Sequence, residues 1–132
     1  MKRITLYLIF TLSTFLSFSQ IEKKGTINSE SKKINQVSFR LFPTQNMWTF
    51  IKLDTRNGKM WQVQYGLKNE ERFVTFLNLE PLVNKDKELN ERFTLYPTQN
   101  IYNFILLDQI DGKTWQVQWS QTPGERALYP IE

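Results

Sequence analysis

Apolar and polar residues alternate at WQVQY (61–65) and WQVQW (115–119), the two-residue period that sends successive side chains to opposite faces of a strand. Two short aromatic-rich runs, 39–42 and 93–96, are each halted by Pro-Thr-Gln-Asn. Proline cannot donate to a sheet ladder, and the polar residues behind it suit a turn. The runs MWTFIKL (47–53) and IYNFILL (101–107) follow, rich in the aromatic and β-branched residues that strands favour. Each closes on an aspartate, Asp54 or Asp108, and passes through Asn57-Gly58-Lys59 or Asp111-Gly112-Lys113. Asn-Gly and Asp-Gly favour hairpins because these residues tolerate positive φ. A return strand comes next, WQVQY at 61–65 and WQVQW at 115–119, and a fourth short strand is expected at 72–78 and at 126–131. Helical periodicity is nearly absent; only 81–90 could form a helical turn.

The two halves of this pattern are copies. Residues 39–65 align without gaps on residues 93–119 at a constant offset of 54, and sixteen of the 27 aligned positions are identical. The register persists to Glu71-Arg72 and Glu125-Arg126. Such self-similarity marks a tandem duplication of one supersecondary unit. It predicts an all-β fold of two tandem four-stranded antiparallel units, at about 37–78 and 91–132, forming a small pseudo-twofold barrel or sandwich in a single domain, 37–132. Two units cannot close a propeller, which needs at least four blades, unless the chain oligomerises. The Asp-x-x-[Asn/Asp]-Gly-Lys-x-Trp hairpin resembles the turn of blades in pyrroloquinoline-quinone-type propeller repeats. Together with Tyr96-Pro97-Thr98-Gln99-Asn100 and Trp-Gln-Val-Gln, it is similar to small exported bacterial proteins built from this tandem repeat. That resemblance implies a β fold and export, and no particular activity.

The amino terminus changes the picture of location. Met1-Lys2-Arg3, an apolar run, and small residues at Ser17 and Ser19 read as the three regions of a signal peptide. Cleavage after Ser19 is expected, with residues 1–19 as signal; the alternative is an uncleaved membrane anchor. Against the anchor, the run is short and is interrupted by Thr11, Ser13 and Thr14. Residues 20–36 are polar, lack aromatics and show no period, which reads as a flexible tether unable to offset its ordering entropy by burial. The expectation is an exported protein, periplasmic or secreted, with no membrane span after cleavage. With no cysteine, neither a disulfide framework nor a lipid-bearing cysteine is available. The formal charge of +4 lies outside the domain, because residues 37–132 carry eleven basic and eleven acidic side chains. A nucleic-acid binder needs a basic stripe on its folded body, so that class is excluded.

The absence of histidine and cysteine removes Ser-His-Asp and Cys-His catalysis and nearly all zinc and copper sites. The stretch 108–112 superficially resembles a calcium loop but lacks its alternating oxygen ligands and terminal glutamate, so a hairpin turn is the better reading. No metal, cofactor or catalytic residue is assigned. Paired carboxylates, Asp54 with Asp108 or Glu71 with Glu125, leave one enzymatic option of the glycosidase type. The simpler reading has each Asp accept hydrogen bonds from its own turn, with Glu-Arg as surface charge pairs.

Side chains then divide by face. Trp61, Val63 and Tyr65 share one face and Gln62 and Gln64 the other, with the same split at Trp115, Val117, Trp119 and Gln116, Gln118. The expected arrangement buries the Trp and Val rows and leaves the glutamines in solvent. The preceding strand is apolar on both sides, so a second face of aromatics and amides becomes the candidate binding surface. The residues singled out are Trp48, Lys52, Arg56 and Tyr102, with Gln62, Gln64, Gln116 and Gln118. Rings stack while amides donate and accept, a combination suited to a sugar or an extended peptide. Function is sought where the copies differ: Trp48 against Tyr102, Lys52 against Leu106, Arg56 against Ile110, Tyr65 against Trp119. The leading expectation is an exported, non-catalytic β module that binds a protein or glycan partner. Its rivals are a periplasmic inhibitor or immunity-type protein with a protruding loop at 80–90, a glycosidase-type enzyme, and an oligomer that completes its sheets with a neighbour's edge strands.

Overall fold

A computed structural model describes residues 37–132; the expected signal peptide and tether lie outside the described residues. The chain forms eight strands, β1 (Phe39–Pro43), β2 (Thr49–Asp54), β3 (Met60–Gln64), β4 (Phe73–Asn78), β5 (Phe93–Pro97), β6 (Asn103–Asp108), β7 (Thr114–Gln118) and β8 (Ala127–Ile131). They make two antiparallel four-stranded meanders in the orders β1-β2-β3-β4 and β5-β6-β7-β8. The fold is all-β, as the alternating pattern predicts, and of barrel and sandwich it is sandwich-like, with two separate sheets. Short 3₁₀ turns at Asn69–Glu71 and Lys85–Lys87 are the helical elements among the described residues.

The repeated motifs are turn chemistry. Thr44 Oγ1 donates toward the carbonyls of Asn46 and Thr49, while Asn46 Oδ1 accepts from the Trp48 N–H at 2.9 Å. Thr98 and Asn100 repeat these bonds around Tyr102. Pro-Thr-Gln-Asn is therefore written twice because the β1–β2 and β5–β6 turns are built twice. The β2–β3 connection is wider than the two-residue turn that Asn-Gly suggests. The Asp54 N–H donates to the Lys59 carbonyl and the Gly58 N–H to the Asp54 carbonyl. Gly58 has φ +79° and Gly112 +72°, whereas Asn57 and Asp111 keep negative φ, so only the glycine supplies the left-handed step.

The two sheets meet through unlike faces. In β2 and β3 of the first repeat, Thr49, Ile51, Leu53, Met60 and Gln62 are buried. In the second repeat the buried side chains are Phe93, Leu95, Phe104, Leu106 and Val117. Leu106 and Phe104 are the counterparts of Lys52 and Phe50, which alternate with Ile51 and Leu53 and so point the other way. One core cluster joins the two sets, with Phe42, Leu77, Trp115 and Leu128 packed on it. A twofold would bring like faces together; here one face of the first sheet is covered by the opposite face of the second. Burial of the Trp-Val row holds in the second repeat, where Val117 and Trp119 are sealed. It reverses in the first, where Tyr65 is exposed and Gln62 is fully buried, because the first sheet turns its glutamine side to the core.

The segment between the repeats fastens them. Thr55, fully buried, donates from Oγ1 to the Val37 carbonyl, accepts there from the Glu91 N–H, and takes the Phe93 N–H on its own carbonyl. Leu82 and Val83 pack on the core, and the Leu82 N–H donates to Asn57. A Cβ at Gly58 would stand 2.7 Å from Leu82 Cδ1, while one at Gly112 would meet nothing within 4 Å. Both positions need positive φ, so Gly112→Ala is expected to cost about 1–2 kcal/mol in urea unfolding. Gly58→Ala should cost clearly more, since it adds a collision with the strap. Equal losses at the two sites would show that Leu82 is not clamped there.

Candidate functional site

The unlike-face contact leaves one side of the first sheet uncovered. Phe39 and Leu41 from β1, Phe50 and Lys52 from β2, Trp61 and Val63 from β3, and Val74 and Phe76 from β4 share this side, because Leu41 opposes Lys52, Lys52 opposes Trp61, and Trp61 opposes Phe76. Trp48 and Tyr65 extend it beyond the strands. Phe39, Leu41, Val74 and Phe76 are 50%, 59%, 58% and 60% exposed, although their second-repeat counterparts Phe93 and Leu95 are core. Contiguous apolar surface of this kind marks an interaction site more often than scattered exposed residues do.

Two aromatic groups structure the face. Toward the hairpin end, Phe39 and Trp61 lie 6.3 Å apart at 56°, and Lys52 Nζ stands 4.4 Å from the Trp61 ring centroid. Toward the Pro-Thr-Gln-Asn end, Tyr65 contacts Trp48 at 5.2 Å and Phe50 at 6.0 Å, in tilted arrangements. The lysine stem covers apolar surface while its ammonium sits over the indole, so the face carries a held positive charge among rings.

The sequence-predicted residues are dispersed over the molecule. Trp48 and Lys52 stand on the open face. Arg56 is at its rim, 5.5 Å from the Phe39 ring, but its Nε and Nη2 are committed to Asp54 at 2.9 and 2.8 Å. Gln64 lies with Trp48 and Tyr65 in a shallow cleft of about 390 Å³ closed by Gly66, Leu67 and Glu71. Tyr102 and Gln118 occupy the equivalent cleft of the second repeat, about 340 Å³, beside Ser120, Gln121 and Glu125. Gln62 is sealed between the repeats, its Oε1 accepting from Arg126 Nε at 3.2 Å. Gln116 opposes Ile105 and Tyr129 on the free side of the second sheet. The aromatics and the glutamines therefore do not form one surface: Ile51 opposes Gln62 while Lys52 opposes Trp61, and the pleat sends them to opposite sides. Phe39, Leu41, Trp61, Val74 and Phe76 were missing from the sequence-derived set. The signal for them was Lys52 against Leu106, since a lysine replaces a core leucine only where that face meets water.

The carboxylates are occupied by the fold. Asp54 Oδ1 accepts the Arg56 N–H, and Asp108 Oδ1 accepts those of Ile110 and Asp111, as a turn aspartate does. Asp108 is also paired with Arg92, whose Nη2 lies 2.8 Å from Oδ2 with both side chains buried. Arg92 donates further to Asp111 at 2.7 Å and to the Lys87 carbonyl. Burial works against ionisation of Asp54 and Asp108, but the arginine and backbone hydrogen bonds outweigh it and hold both below the ordinary carboxylate range. A general acid needs the reverse shift. Glu71 accepts the Leu67 and Lys68 N–H groups, Glu125 accepts Ser120 Oγ, and Arg72 and Arg126 donate to the Gly66 and Ser120 carbonyls. Each Glu-Arg pair thus clamps the loop after the return strand rather than pairing internally.

The segment 80–90 is tied down by Leu82, by Asn57 Nδ2 donating to Glu88, and by Arg92 bonding Lys87. No helix among the described residues is long and apolar enough to cross a membrane. Comparison with protein families, curated proteins and solved structures returns no match.

Neutralising Asp108 removes the buried partner of Arg92 and leaves it only the half-exposed Asp111, so Asp108→Asn should lose about 1–3 kcal/mol at neutral pH. The folded pKa of Asp108 is lowered, so its contribution is complete above the unfolded value of about 3.9 and disappears as pH falls through the folded one. Urea titrations should therefore show wild type and variant converging as pH drops below about 4. A gap that persists unchanged into acid would remove the ion pair as its cause.

Proposed function

We propose that the protein is an exported, non-catalytic β module that binds a partner through the open aromatic face of its first repeat. The observation carrying this reading is the contrast between copies: the side that is core in the second repeat, Phe93, Leu95, Phe104 and Leu106, is displayed by the first as Phe39, Leu41, Phe50 and Lys52. A monomeric soluble domain rarely leaves such a surface uncovered without use. Export is supported by the basic-apolar-small pattern of residues 1–19. Of a protein or a glycan, the breadth of the face, which spans all four strands of the first sheet, favours a protein, with rings as anchors and Lys52 on an inner strand. The engaged state of Asp54, Asp108, Glu71 and Glu125 favours binding over hydrolysis.

Phe39→Ala and Trp48→Ala test the face. If these rings are anchors, each should weaken partner binding by about 2 kcal/mol, roughly thirtyfold, in titrations of the purified full chain against captured partners and a glycan panel. Circular dichroism should be unchanged, since both side chains reach solvent. Binding that neither substitution alters would place the site elsewhere.

A further inference from the structure

We infer that the partner of the open aromatic face is a second copy of this chain, docked by repeating the contact that already joins the two repeats. This rests on the reading of that face as a binding surface. Inside the chain, the glutamine side of the first sheet (Thr49, Ile51, Leu53, Met60, Gln62) is covered by the tryptophan side of the second (Phe93, Leu95, Phe104, Leu106, Val117). Because the sheets are copies, each chain keeps one unused surface of each kind. The first repeat presents a tryptophan side: Phe39, Leu41, Trp61, Val74, Phe76. The second presents a glutamine side: Tyr96, Ile105, Leu107, Gln116, Tyr129 and Ile131. The two halves of an interface already used once are both available again.

Polar details of that interface have counterparts at the free surfaces. Arg126 bonds its own loop carbonyl at Ser120 and reaches across to Gln62 Oε1 and, at 3.5 Å, Thr75 Oγ1. Arg72 makes the matching bond from Nε to the Gly66 carbonyl and is exposed, with Nη1 and Nη2 held by Asn69 Oδ1 and the Leu67 carbonyl of its own loop. Docking would exchange one of these loop bonds for Gln116 of the next chain, the counterpart of Gln62. Lys52 replaces Leu106 on the docking side, and the receiving side is altered in the same sense. Asn103 stands for Thr49 and Thr114 for Met60, so the receiving side carries an amide and a hydroxyl where the inner face has a hydroxyl and a thioether. The buried Asn103 Oδ1 has no donor in the single chain.

Edge pairing is the poorer alternative: three of the four outer strands, β1, β5 and β8, contain Pro43, Pro97 and Pro130, where proline removes a ladder donor, and β4 alone has none. A contact between unlike faces is not consumed by forming once, so it continues until a ring closes. With two blade-like sheets per chain, rings of four to eight sheets correspond to about two to four chains.

The test is native mass spectrometry and sedimentation of the full chain, with Phe76→Glu on the aromatic face and Tyr129→Glu on the receiving face. Both side chains are more than half exposed, and Leu41→Glu with Tyr96→Glu provides a second pair on β1 and β5. Wild type should form concentration-dependent oligomers of two to four chains, and each variant alone should be monomeric. An equimolar mixture of Phe76→Glu and Tyr129→Glu should form a dimer that grows no further, because it retains one intact pair of unlike faces. A wild type that stays monomeric throughout the micromolar range would overturn the inference, as would a Tyr129→Glu chain that still oligomerises through like faces. If the monomer nevertheless binds a glycan or another protein in a Trp48-dependent way, the aromatic face stands as a binding surface and only the second copy is excluded.

Discussion

Everything in this fold depends on one sheet covering the other with the side opposite to the one it is covered by. A four-stranded meander with apolar residues on both sides is not independently stable in water and must bury at least one of them. Two such meanders related by a twofold would bury like sides and leave two like sides outside. The observed arrangement buries Ile51, Leu53 and Met60 beneath Phe104, Leu106 and Val117. Two chemically different surfaces are left at the two ends of the molecule. The connecting segment enforces this by hydrogen bonds at Thr55, which ties Val37 and Ser38, the hairpin and β5 to one another.

Strands and turns were legible in the sequence because their determinants are local. Prolines, the Thr and Asn that cap the first turn, and the glycine of the hairpin each act within a few residues. The orientation of each sheet was not legible from periodicity. Alternation separates Gln62 from Trp61, but both sides of β2 are apolar, and which one is covered is decided by a partner 54 residues away. Hence identical WQVQ segments have different fates. Gln62 is sealed and Tyr65 exposed in one copy, while Val117 and Trp119 are sealed in the other. The information lay in the substitutions: Lys52 for Leu106 and Thr114 for Met60 each mark the side that faces water.

The candidate site was legible in part for the same reason. Trp48 and Lys52 were found because the copies differ there, and both stand on the open face. Phe39 and Trp61 are identical in the two copies and so carry no contrast, whereas Phe76, which stands where the second copy has Pro130, lies beyond the closely matching segment 39–65. Arg56 differs between copies for a structural reason, since it neutralises Asp54.

The second aspartate obtains its cation differently. Asp108 is served by Arg92, which precedes β5 and stands where the first repeat has Ser38, whereas Asp54 is served by an arginine within its own hairpin. Both copies keep a guanidinium beside the turn, supplied from the hairpin in one and from the connection in the other. The first repeat is thus electrostatically self-contained, and the second is complete only with the residue that precedes it. As an exchangeable genetic module, the second unit therefore begins at or before Arg92, and a boundary drawn at the first residue of β5 would sever its turn from its counter-ion.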